Sequence, residues 1–244
     1  MHRPLLAAIF TPVLLAACGG GGQDSSPGSA LASPSYQFRA PKAGAHLVYT
    51  ASLADNLNNT LTRTVTDDVT AVNADGSFAV HEEDPSHDII VSGATDQTLY
   101  PTDFQYNAAG QPTAWTVAGR SGSVQCTASG AAGAPAQLAS GGSWSTSYTE
   151  TCGSGPGTAF TQSGTLVGIE SVTVPAGTFT AYKFVSTTTR TLNGVTRVES
   201  STRWRDQASG DSRTIKEASV FTYSGATPPA GALLQQVREL QSYR

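Results

Sequence analysis

The sequence predicts an all-β, mainly antiparallel protein. Thr, Ser, Gly and Ala dominate a chain of 244 residues of which only 13% are charged, a composition that suits β-structure with many turns better than helix. Asp75-Gly76 and Asn193-Gly194 each stand between β-rich runs, among the strongest short hairpin signals in a sequence. Almost no stretch carries the apolar period of a helix.

The chain begins with Arg3 and an apolar run over residues 5–17 that ends in Leu15-Ala16-Ala17-Cys18. A basic start, a short apolar stretch and small residues before the cleavage point describe a secretory signal peptide, here residues 1–17. The run is too short to span a bilayer, which takes roughly 20 apolar residues. Cys18 directly after Leu-Ala-Ala resembles the lipobox of bacterial lipoproteins. That resemblance implies cleavage before Cys18 and acylation, with palmitate among the chains. With Gly19 instead of Asp after the cysteine, it also implies export to the outer membrane. The expected location is the cell envelope, lipid-anchored in the outer membrane and facing the periplasm or the cell surface. Residues 18–42 read as the lipidated cysteine and a flexible tether, because Gly19 to Gly22 and the Gln-Asp-Ser-Ser-Pro-Gly-Ser that follows cannot bury a core.

Residues 43–244 read as a single β-domain. Residues 64–72 are strand-like, Asp75-Gly76 turns the chain, and Phe78-Ala79-Val80 resumes a strand. Residues 187–192 and 195–201 flank Asn193-Gly194, and residues 107–110 and 174–177 make two further turns. Residues 127–143, nearly all Ala, Gly, Ser, Pro and Thr, read as a long loop. At the C-terminus Leu233, Leu234, Val237 and Leu240 fit a helical face, while Leu234, Gln236, Arg238 and Leu240 share a strand face; the all-β context favours a closing strand.

Cys126 and Cys152 remain after removal of the signal. An exported chain meets an oxidising compartment, so a disulfide is expected. Closing that loop stabilises the fold by roughly 3.5 kcal/mol in the chain-entropy model.

A faint internal repeat suggests two similar halves, residues 43–125 and 140–244. Gly44 with Tyr49 matches Gly142 with Tyr148, and Asp75-Gly-Ser-Phe78 matches Ala176-Gly-Thr-Phe179. Tyr-Pro-Thr-Asp103 then aligns with Arg-Trp-Arg-Asp206, and Gly110 with Gly210, always about one hundred residues apart.

The segment Gly168-Ile-Glu-Ser-Val-Thr-Val-Pro-Ala-Gly-Thr-Phe-Thr-Ala-Tyr-Lys-Phe184, followed by Trp204-Arg-Asp206 and Arg213-Thr-Ile-Lys216, resembles a bacterial envelope family of unknown function that carries a Val-Pro-Ala-Gly-Thr-Phe hairpin. The resemblance implies a strongly curved antiparallel sheet folded as a half-barrel or clam, and it brings no catalytic residues. A two-sheet sandwich is the other packing such strands allow. Gly177 and Phe179 serve the fold in that hairpin, one permitting the turn and one packing inward.

No Gly-x-Ser-x-Gly elbow and no Ser-x-x-Lys is present, so no catalytic residue is assigned and the chain is not read as an enzyme. His81-Glu-Glu-Asp-Pro-Ser-His87-Asp88 is the densest polar cluster, but its spacing fits no metal motif and it reads as a solvated acidic loop. No metal or cofactor is expected. Trp115, Trp144 and Trp204 read as core or cavity lining. Residues 19–170 carry 4 basic and 13 acidic side chains, whereas residues 171–244 carry 9 and 5. Arg190 and Arg197 should oppose each other across the Asn193-Gly194 hairpin, Glu199 should face Thr188, and Arg203 and Arg205 should follow on one face. These four arginines are the candidate binding residues, for an anionic group; the plainer reading is a solvated strand face that resists edge pairing.

Formal net charge is −4, and −5 once residues 1–17 with Arg3 are removed, which argues against nucleic acid as a partner. The expected function is a non-catalytic binding module for an apolar or lipid-like ligand, held to the membrane by its N-terminal lipid. The alternatives are a structural lipoprotein that engages an envelope protein and, less well supported, a hydrolytic or metal-dependent enzyme. Abundant Thr, Ala and Val at positions read as inward argue against a large greasy cavity.

Overall fold

The computed structural model describes residues 35–83, 100–119 and 122–244, and every regular element among them is a strand. In chain order these are β1 (Ser35–Gln37), β2 (His46–Asp55), β3 (Thr60–Val72), β4 (Phe78–Glu83), β5 (Tyr100–Tyr106), β6 (Pro112–Gly119) and β7 (Gly122–Gly130). There follow β8 (Gln137–Ala139), β9 (Ser143–Cys152), β10 (Thr158–Val174), β11 (Gly177–Leu192), β12 (Val195–Asp206), β13 (Thr214–Gly225) and β14 (Leu233–Tyr243). The ambiguous C-terminal segment is therefore a strand.

Twelve strands, β2–β7 and β9–β14, form one antiparallel meander that closes on itself. β7 bonds to β9, and β14 bonds to both β13 and β2. The curvature expected of the sheet thus runs to full closure, past a half-barrel or a sandwich, and closure satisfies the backbone donors and acceptors that an open edge would leave bare.

The anticipated turns are in place. Asn193 (φ 51°) and Gly194 (φ 75°) make a two-residue loop between Leu192 and Val195, the double positive φ that a tight hairpin requires. Gly177 sits at φ 132° opposite Val174, and Phe179 packs against the core.

Alternation along each strand sorts the walls. In β2, Leu47, Tyr49, Ala51 and Leu53 are buried while Val48, Thr50 and Ser52 alternate with them. In β3, Thr60, Thr62 and Thr64 are exposed, and Val65 and Val69 are buried. Many threonines read as inward therefore stand outside, where hydroxyls pair across strands: Ser143 with Thr165 (2.8 Å), Thr173 with Thr178 (2.9 Å) and Thr191 with Thr196 (2.9 Å).

Six strands precede the β7–β9 seam and six follow it. The repeat matches fall on equivalent places: the β3–β4 and β10–β11 turns, strands β5 and β12, and the loops holding Gly110 and Gly210. The disulfide Cys126–Cys152 forms, its cysteines facing each other across the seam.

Two boundaries differ from expectation. Residues 35–37, assigned to the tether, form β1 and pair with β8, which lies inside the stretch expected to be loop. Tyr36 is 2% exposed, and the Phe38 N–H donates to the Ala136 carbonyl at 2.6 Å. β7 also runs on to Gly130. β1 and β8 find each other about a hundred residues apart, which local composition cannot reveal, whereas the end of β7 pairs with β9 across the disulfide-closed loop. Finally, β10 pairs with β9 only up to Thr165, beyond which the β10–β11 arm folds back onto the β13–β14 wall. Val172, Val174 and Ala181 bury there with Ile215 and Leu240, and the Ala176 N–H donates to the Leu240 carbonyl.

Candidate functional site in the barrel lumen

Inward side chains do not fill the barrel. A cavity of about 480 Å³ remains, within the roughly 300–1,000 Å³ of small-molecule sites. One part of its wall is aromatic. Phe38 stacks on Phe78 (5.9 Å), Phe78 on Tyr106 (4.6 Å), and Tyr106 lies beside Phe104 (5.9 Å). Tyr148 stacks on Phe160 at 4.7 Å. Trp144 reaches the lumen over Gly164, where a Cβ would sit 2.3 Å from the indole edge. The lumen is thus of mixed character: aromatic rings line one part, while Thr188, Thr214, Val69 and Val80 also face it.

The other part is ionic. Arg238 donates to Asp67 (2.6 Å) and Glu82 (2.7 Å) and lies 4.0 Å over the Tyr49 ring. Burial works against its charge, but the two carboxylates overcome that and hold the guanidinium well above its ordinary range. Burial likewise drives the Tyr49 and Tyr106 phenols up, and it pushes Tyr148 up to about 12. Arg203 donates to Glu217 at 2.6 Å and Arg197 to Glu199 at 3.0 Å, while Ser201 and Ser219 hydroxyls donate to those same two carboxylates. Arg203 keeps 42% of its side-chain surface accessible although protein surrounds it, because that surface faces the cavity.

Burial tends to raise the Glu217 carboxyl, yet the Arg203 charge and hydrogen bond, with Arg238 and Ser201, hold it below the usual range. A carboxyl whose folded value lies below its unfolded value stabilises the fold above the unfolded value, about 4.3 for Glu, and that contribution is lost as pH falls through the folded value. Chemical denaturation between neutral pH and pH ~3 is expected to show stability falling below about pH 4, with a shallower fall in Glu217→Gln. Equal pH slopes in the two proteins would refute this role for Glu217.

The four candidate arginines gather on the inner wall. Arg197, Arg203 and Arg205 line the cavity; Arg190 opposes Arg197 and stands 5.7 Å from the Phe160 ring centre. Glu199 faces Thr188 as expected and neutralises Arg197. The reading of a solvated outer strand face is therefore corrected: the odd positions of β12 point into the lumen. Burial and the facing Arg197 lower Arg190, with Glu150 partly offsetting them.

Other sequence candidates lie apart. His81 bonds Asp103 at 2.8 Å, Glu82 joins Arg238, and His87 and Asp88 fall outside the described residues. Among the described residues no three His, Cys, Asp or Glu side chains gather as metal ligands. Trp204 packs against the core, one of its two expected placements, donates to Glu170 at 2.6 Å and stands between Lys183 and Lys216. Cys18 also lies outside the described residues. Sequence reasoning missed Asp67, Glu217 and Arg238 and read Glu82 as part of a solvated loop; Arg238 meets Asp67 and Glu82 from a distant part of the chain, while Glu217 meets Arg203 across the β12–β13 hairpin. The one available signal was Arg238 on the same strand face as Leu240, an arginine at an inward position.

No family model matches the chain, and no curated protein does. Among solved structures, a protein of YmcC-like fold from Bacteroides fragilis NCTC 9343 aligns at 9% identity over 86% of this chain and 99% of its own, with a TM-score of 0.45. A protein from Parabacteroides distasonis ATCC 8503, described as a lipoprotein, aligns at 10% identity over 86% and 99%, with a TM-score of 0.43. The hypothetical lipoprotein YmcC of Escherichia coli K12 aligns at 10% identity over 80% and 86%, with a TM-score of 0.39. At this depth of superposition the likenesses carry no functional argument.

Proposed function

We infer that this chain is an envelope lipoprotein whose β-barrel is a non-catalytic binding module for an apolar or lipid-like molecule held in the lumen. The observation that carries the reading is the unfilled interior of about 480 Å³ with its aromatic wall. A barrel needing only a rigid outer surface would gain stability by filling that space. The signal segment, Cys18 and the disulfide are consistent with an exported protein tethered by lipid.

Native mass spectrometry of the full-length protein purified from envelopes tests the lumen. The expected result is a retained lipid-like mass that is absent in Ser186→Phe, which fills the cavity from β11. A bare wild-type mass would end the reading and favour a structural lipoprotein engaging an envelope partner. The anchor has its own test: cells fed labelled palmitate should label the wild-type chain and not Cys18→Ala, and equal labelling would remove the anchor.

A further inference from the structure

The cavity-lining carboxylates are all committed. Asp67 and Glu82 bind Arg238, Glu217 binds Arg203, and Glu199 binds Arg197. Arg213, also on the lining, is held by Asp211 at 2.8 Å. Arg205 differs. Its Nη1 donates to the Tyr36 hydroxyl at 2.7 Å, and its guanidinium lies 5.9 Å from the Tyr36 ring centre and 5.5 Å from that of Phe38. Among the described residues no carboxylate stands within ion-pair distance of it. A guanidinium offers five donors in a planar fork that matches a carboxylate or a phosphate; only one of these is used on Tyr36. Phe38, one of the rings beside it, is also the first ring of the Phe38–Phe78–Tyr106–Phe104 series. An uncommitted cation thus stands at the head of an apolar track within one cavity.

We propose that the lumen takes an anionic amphiphile, its carboxylate or phosphate head on Arg205 and its apolar tail along the Phe38–Phe78–Tyr106–Phe104 wall. This deepens the lumen-binding reading and rests on it. The head would replace the water on the free donors of Arg205, and a charge-assisted, bidentate contact is the strong form of such a bond. Tyr36 lies in β1 and Phe38 directly after it, so the head sits beside the β1–β8 pair. Arg203, one pleat away, is engaged by Glu217 and completes the positive side of the pocket without competing for the head.

The test uses the full-length protein in a fixed concentration of uncharged detergent, with native mass spectrometry reading the bound mass. Dodecanoate, dodecyl phosphate, dodecanol and inorganic phosphate are offered in turn. Wild type is expected to retain the two charged chains about tenfold more tightly than dodecanol. Arg205→Met should abolish that preference while still binding dodecanol. Arg205→Lys, which keeps charge but loses the fork, should retain part of it and guards against a misfolded Met variant. The tighter of the two heads identifies the source of the anion, and either supports the shared chemistry. Equal retention of dodecanoate and dodecanol by wild type, a preference that survives in Arg205→Met, or tail-free phosphate binding as tightly as the amphiphiles would each overturn the proposal and leave the lumen reading standing. Retention of none of the chains would end both.

Discussion

Arg238→Ala is expected to cost about 3–5 kcal/mol, read as a shift in the urea midpoint at neutral pH. Arg238 is 17% exposed and Asp67 and Glu82 21% and 20%, so the substitution leaves two part-buried carboxylates without the guanidinium that bridges them. It also removes the guanidinium stacked on Tyr49. The loss is a large share of the roughly 5–15 kcal/mol that holds a typical domain together. The cause is distinguishable from lost packing. In Arg238→Met with Asp67→Asn and Glu82→Gln, the repulsion is gone and most of the stability should return. If the triple variant is as unstable as Arg238→Ala, the ionic account is wrong and packing carries the effect.

Replacing Cys126 and Cys152 together by Ser is expected to cost about 3.5 kcal/mol by the loop-entropy relation. The position of the bond adds a structural reason. It joins β7 to β9, the seam between the two six-stranded runs of the meander, and its cysteines are direct cross-strand partners. Opening a barrel at any seam exposes two bare strand edges at once. Guanidinium denaturation of the double variant, compared with wild type under oxidising and reducing conditions, checks it. A midpoint unchanged by reductant in wild type would show that the seam holds without the covalent link.

Much of the fold was legible because it rests on local chemistry. Positive φ at Asn193, Gly194 and Gly177 is written into residue type, and the β-branched runs between turns left strands as the consistent reading. Opposition of Arg190 and Arg197 followed from the two-residue loop alone, since loop length sets register. The cysteine pair followed from compartment and count. The turn residues that suggest a repeat fall at corresponding places in the two six-stranded runs.

The candidate site was less legible, for a physical reason. Alternation says which residues share a face, but not which face is inside. Reading β12 as a solvated face and its arginines as edge protection was a choice of the wrong side, and the same choice hid the aromatic lining. Asp67, Glu82 and Arg238 are unremarkable singly and become one ionic group only when β14 pairs with β2 and closes the barrel.

By itself the sequence determined the strand class, the turns, the local registers and the cysteine pair. These depend on backbone preference, side-chain spacing and the redox state of a compartment, all of which act over a few residues or on the whole chain. Tertiary structure alone decided that the sheet closes, that residues 35–37 pack as a strand instead of extending the tether, and that charge and aromatic rings share a cavity. Those outcomes depend on contacts between strands more than a hundred residues apart, whose hydrogen bonds and ion pairs exist only once the ring is complete.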